Sequence, residues 1–153
     1  MNLITRELCL RKDLGIHGNL FGGTMMSWLD KAGAIEATRL CQSNSMVTGE
    51  MEGIKFLKKV RENTQVCIYG KPVSVGTTSL VLELEARKYN VYTGVEKLVC
   101  KTKAIFVRID KEEGNKRPIG VGAKAEIEKI IKEQNEESNN WDSIWRQRLR
   151  QVF

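Results

Sequence analysis

The sequence predicts an α+β domain in which one sheet packs on one long apolar helix. Three observations carry this. Residues 80–87, LVLELEAR, have a period of two, with Leu80, Leu82, Leu84 and Ala86 on one face and Glu83, Glu85 and Arg87 on the other. Residues 24–41 repeat apolar side chains at helical spacing with no proline. Behind that helix, four strand-like stretches follow one another with turn residues between them.

Taken in order, residues 2–12 alternate loosely and suit an edge strand. The stretch 13–23, DLGIHGNLFGG, holds four glycines and reads as a tight irregular loop whose backbone approaches something closely. Thr24 to Cys41 follows as the helix. Met25, Met26, Trp28, Leu29, Ala32, Ala34, Ile35, Ala37 and Leu40 cover most of its circumference, so it is expected to be buried nearly all round. Gly33 in its interior costs about 1 kcal/mol relative to Ala, which a close contact with a strand or a second helix would explain.

After the turn-like QSNS at 42–45, strands are expected over 46–57, 64–73, 79–89 and 95–109. In the cleanest, Leu80, Leu82, Leu84 and Ala86 share one face, while Glu83, Glu85 and Arg87 share the other. One buried and one wet face is the mark of an antiparallel sheet. Gly, Pro and Asn punctuate the connections YGKPVSVGTTS and NVYTG. A polar linker, 110–122, leads to two helical pieces. One, Ala123 to Gln134, carries Ile127, Ile130 and Ile131 on one side. The other, beyond NEESNN, repeats Trp141, Ile144, Trp145 and Leu149 at spacings of three and four, with three arginines nearby. The expected division is a domain over 1–122 and a helical extension over 123–153.

At 153 residues, with 41% hydrophobic and 29% charged side chains, the chain fits one ordinary globular domain. No apolar run approaches the roughly 20 residues of a membrane span. The first twelve residues do not read as a secretory leader. Cys9, Cys41, Cys67 and Cys100 form no CxxC pair, and there is one histidine, so a zinc site is not expected. Reduced, buried thiols in a cytoplasmic protein are the simpler reading. The net charge of +6 favours a polyanionic partner, whether nucleic acid, an acidic surface or a phosphorylated cofactor, or else serves solubility alone. Basic residues are not interleaved with aromatics on a strand face, which argues against a nucleic-acid module.

The helix start carries the chemistry. Gly22 and Gly23 stand where its first N–H groups lack intrahelical partners and the dipole is positive. Glycines there let an oxygen approach, as an oxyanion hole requires. Alone, the pair reads as a tight turn. Asp30 changes the balance, because a carboxylate on a buried helix is expensive unless paired or used. An ion pair with Lys31 is the bland alternative and a general base the functional one. Eight residues of helix, about 12 Å, separate Gly22 from Asp30, so one carbonyl and its attacking water cannot touch both. If both act together, two helices lie antiparallel across a twofold axis and a homodimer carries two composite sites.

The ordered blocks HGNLFGGTMMSWLDKAGAIEA, VTGEMEGIKFLKKV and VGTTSLVLELEA, spanning roughly residues 5–109, resemble the hotdog-fold acyl-CoA thioesterases. The resemblance implies a five-stranded antiparallel sheet wrapped round a central helix. It implies dimers, often assembled further into tetramers or hexamers, and hydrolysis of acyl-CoA to free acid and CoA. CoA is then part of the substrate and no separate cofactor is implied. Asp30 matches the family's helix carboxylate, acting as base or nucleophile. Gly22 matches the glycine whose N–H binds the thioester carbonyl, with Gly23 supporting the turn. Thr48 lies near a position where relatives place a Ser or Thr to hold water. Gly76, Thr77, Thr78 and Ser79 match a turn beside the CoA pantetheine or phosphates, and Lys58 a basic residue that meets a CoA phosphate. Gly15 stands where many members carry a carbonyl-binding Asn. His17, two residues on, is read either as its substitute or as a solvated loop residue. Lys59 and Glu62-Asn63 depart from the family's Pro and Gly-Asp.

The residues themselves agree with a thioesterase lacking a covalent serine, since no G-x-S-x-G elbow is present. A non-catalytic acyl-CoA-binding sensor or scaffold is the alternative, and Asp30 argues against it. A hydratase would want His paired with an acid near the helix, whereas His17 lies in the loop before it.

Overall fold

The computed structural model describes residues 1–152, apart from the side chains of 141–143, 145 and 149–152. Its elements are β1 (Asn2–Leu8), α1 (Gly22–Cys41), β2 (Met46–Phe56), β3 (Gln65–Val75), β4 (Ser79–Tyr89), β5 (Glu96–Arg108) and α2 (Val121–Val152). All five strands join one antiparallel sheet in the order β1-β3-β4-β5-β2. The sheet wraps α1, and the architecture is the hotdog fold.

The alternation in β4 has the consequence expected of it. Leu80, Leu82, Leu84 and Ala86 are fully buried, while the residues between them are only half-buried. They meet Leu29, Ala32 and Ala37 of α1 and Phe106 of β5 in one core, which Ile119 and then Ala123 and Ile127 of α2 extend. Gly33 is explained by contact. A Cβ there would lie 2.6 Å from Phe106 Cζ and 3.1 Å from Leu84 Cδ1, so α1 packs on the strands at a distance only glycine allows.

Several boundaries differ from expectation. Chain pairing in β1 ends at Leu8, and a 3₁₀ turn follows at Arg11–Asp13, where Asp13 accepts from the N–H of Leu10 at 2.9 Å. β3 runs past Pro72, which is tolerated because β1 pairs no further than Gly70 and leaves that edge free. α1 begins at Gly22 rather than Thr24, with Phe21 as its cap.

Two larger expectations are corrected. α1 is not buried nearly all round: Met26 and Ile35 are 39% and 44% exposed, and Ser27 and Lys31 are open beside them. One sheet covers one side of a helix, and among the described residues nothing buries Met26, Ser27, Lys31 and Ile35 on the other. The two C-terminal helical pieces are one continuous helix starting at Val121, because NEESNN contains no residue that breaks a helix. The apolar repeat of Trp141, Trp145 and Leu149 falls on side chains outside the described set, but Ile144 on the same repeat is 36% exposed. No helix among the described residues is long and apolar enough to cross a membrane.

Candidate active site

Asp30 sits mid-way along α1, on the stripe the sheet leaves open, and is half-buried. The Thr48 hydroxyl donates to Asp30 Oδ1 at 2.5 Å. A bulge delivers this contact: the β2–β5 register shifts between Thr48 and Glu50, leaving Gly49 unpaired next to Thr48. Such a bulge bends the strand and re-aims the neighbouring side chain. Lys31 is not the partner of Asp30. Its ammonium pairs with Glu7 of β1 at 2.7 Å, which removes the ion-pair reading of the carboxylate.

Gly22 is the first residue of α1, and no side chain caps that end. Phe21 O accepts from Met25 N–H at 3.1 Å, yet among the described residues nothing accepts from the N–H groups of Gly22, Gly23 or Thr24. Three free donors at a positive helix end suit an oxyanion. A Cβ on Gly22 would only brush the Phe56 ring at 3.5 Å, whereas one on Gly23 would strike Phe21 Cε1 at 2.7 Å.

Beside Gly22 lies a cleft of about 260 Å³ bounded by Asn19, Met25, Phe56 and Lys58. It adjoins a larger hollow of about 1100 Å³ whose wall includes His17, Lys58, Lys59, Arg61 and Lys88. None of these four cations is in an ion pair among the described residues. His17 is exposed on the loop, and the weak contact at its carbonyl, 3.5 Å, comes from the Asn19 amide. Sequence reasoning passed over Asn19, Lys59, Arg61 and Lys88 as members of this cluster. The signal for Asn19 was its place three residues before Gly22. Lys88 gave none, because it arrives from β4, 30 positions after Lys58.

The turn Gly76–Thr77–Thr78–Ser79 is engaged in structure. Its carbonyls accept from Arg108 and Ile119, and Gly76 N–H donates to Ser79 O at 2.8 Å. It lies at the other end of the sheet from Gly22. Ser79 pairs with Val107, whereas Phe56, beside Gly22, pairs with Cys100. Seven residues of β5 separate these points, about 23 Å. Within one chain, then, Asp30 meets Thr48, and Gly22 lines one cleft with His17 and another with Lys58, but the two groups and the turn stay apart. Among the described residues no cluster of His, Cys, Asp or Glu could hold a metal ion.

An uncapped helix end, a carboxylate held by a hydroxyl and a basic hollow, set on a sheet wrapped round a helix, are parts suited to cleaving an ester of an anionic carrier. The model of the thioesterase superfamily matches residues 17–95. The acyl-CoA thioester hydrolase YciA of Salmonella typhimurium is 32% identical over 121 residues, which are 78% of this chain and 90% of that one. An uncharacterized acyl-CoA thioester hydrolase of Bacillus subtilis, YkhA, is 32% identical over 71% of this chain and 61% of its own length. Among solved structures, a hexameric broad-specificity acyl-coenzyme A thioesterase superposes with a TM-score of 0.79 at 28% identity, covering 86% of this chain and 98% of that one. A hexameric hotdog-fold thioesterase of Campylobacter jejuni gives 0.71 at 30% identity, over 80% and 93%. The chain belongs to the hotdog-fold acyl-CoA thioesterases of the thioesterase superfamily.

Proposed function

We propose that this chain hydrolyses acyl-CoA to a free carboxylic acid and CoA, at sites that two copies build together. The observation that carries the reading is the separation of parts. Asp30, held by Thr48 of β2, lies on the open stripe of α1, about 12 Å along the helix from the Gly22 N–H, which is unpaired among the described residues. Two α1 helices packed antiparallel through that stripe bring Asp30 of each copy to Gly22 of the other. Met26 and Ile35, exposed in the single chain, supply apolar area for the contact.

In this site the thioester carbonyl oxygen points at the Gly22 N–H, with Gly23 shaping the turn. Thr48 holds Asp30, and Asp30 takes a proton from water. The resulting hydroxide attacks the carbonyl carbon, and the negative charge that forms on oxygen falls on the helix end. The C–S bond then breaks, and the leaving thiolate recovers the proton. Asp30 attacking directly gives the same products through an anhydride that water opens. The phosphates of CoA lie along the hollow of Lys58, Lys59, Arg61 and Lys88, with His17 at its rim as a donor. The Gly76–Ser79 turn borders the CoA moiety of a site built on another copy.

Release of free thiol from acyl-CoA of graded chain length tests this. Asp30→Ala is expected to lose turnover at least about 10²-fold while still binding acyl-CoA. Turnover that survives in Asp30→Ala at the wild-type rate overturns the reading.

A further inference from the structure

Among the described residues, no side chain in the second half of α2 is buried. Every described side chain from Asn135 onward is exposed, and the backbone stays helical to Val152, about 27 Å further on. Yet its sequence keeps a stripe. Steps of seven, four, three and four from Ile130 lead through Glu137, Trp141 and Ile144 to Arg148. A solvated helix needs no such stripe, and a lone helix of this length is marginal in water.

The order of residues in the stripe says what covers it. Glu137 and Arg148 are equally spaced on either side of the midpoint between residues 142 and 143, and so are Trp141 and Ile144. We propose that this segment pairs antiparallel with the same segment of a second copy, about a twofold axis at that midpoint. Each Glu137 then meets Arg148 of the other copy, and helix positions 141 and 144 of the two copies fall opposite one another. Parallel pairing would set Glu137 against Glu137 and Arg148 against Arg148, which the repulsion of like charges opposes. The contact is isologous and lies on α2, apart from the open stripe of α1. Together the two contacts carry the assembly beyond a dimer.

Four full-length proteins test it by light scattering coupled to size exclusion, over a dilution series at 0.1 M salt: wild type, Glu137→Arg, Arg148→Glu and the double exchange. Each single change is expected to halve the assembly mass or to move its dilution midpoint up by about tenfold or more. The double exchange restores both pairs with their signs reversed, and is expected to restore the mass. Thiol release per chain and helix content by circular dichroism stay at wild-type levels in all four, which separates this contact from the α1 site and from misfolding. A mass unchanged in both single variants, or a double exchange as small as the singles, overturns the proposal.

Discussion

Gly33→Ala is a sharp test of how α1 is seated. In an exposed helix this change stabilises by about 1 kcal/mol. Here the new methyl would lie 2.6 Å and 2.9 Å from two atoms of the Phe106 ring and 3.1 Å from Leu84. Both residues are fully buried, so neither can swing aside into solvent. Ordinary contact begins near 3.5 Å, so α1 or the ring must move by roughly 1 Å. Overpacking of this kind costs about 1–3 kcal/mol, which exceeds the propensity gain. A net loss of about 1–2 kcal/mol is expected, read as a lower urea midpoint at unchanged slope. Asp30 is one turn away on the same helix, and its 2.5 Å bond to Thr48 is expected to loosen, so kcat falls further than stability alone accounts for. A variant more stable than wild type with full kcat would refute this account of the α1–sheet contact.

Other outcomes follow from the same geometry. Thr48→Val removes the hydroxyl that donates to Asp30 and is expected to lower kcat about 10–100-fold with little change in KM, measured by thiol release. Lys58→Gln paired with Lys88→Gln is expected to raise KM for acyl-CoA, to leave KM for the matching acyl-pantetheine unchanged, and to flatten the salt dependence. Burial pushes the Cys41 and Cys100 thiols up to about 11, from an ordinary value of 9.0. The folded state therefore holds two protons that the unfolded chain releases above pH 9. Stability is expected to fall as pH rises from 9 to 11, by up to about 1.4 kcal/mol per unit for each thiol, read from urea midpoints. Single-turnover hydrolysis in ¹⁸O-water, followed by mass spectrometry of the peptide bearing Asp30, tests for an Asp30 anhydride that water opens at the Asp30 carbonyl. Label in Asp30 identifies direct attack.

β4 was legible because it sets a half-buried face against a dry one, as Leu80 to Arg87 show without any structure. The helix was legible in position but not in environment. Composition shows that Met26 and Ile35 are apolar, not that one sheet leaves them uncovered. The start of α1 was misjudged because Gly22 and Gly23 have poor helix propensity and Phe21 caps the helix without a side-chain bond. NEESNN reads as a loop by composition, yet Asn, Glu and Ser cost a helix only tenths of a kcal/mol each, and one continuous helix wins. At the site, the Gly-rich turn and Asp30 stood out because each is locally odd. Lys88 joins Lys58 through β5, whose Lys97 pairs with Lys88 and whose Val99 carbonyl accepts from the Lys58 N–H, and no local pattern reveals this.

If two copies build each site as proposed, the length of helix between Gly22 and Asp30 also governs inheritance of defects among subunits. Proline suits the first helical position and lacks an N–H, so Gly22→Pro deletes the donor while the helix persists. Cells making Gly22→Pro or Asp30→Ala alone hold only broken centres. Mixed in equal amounts, half of the pairs are hybrids, and each hybrid owns one centre with both lesions and one with neither. Two inactive alleles thus complement each other to roughly a quarter of full activity.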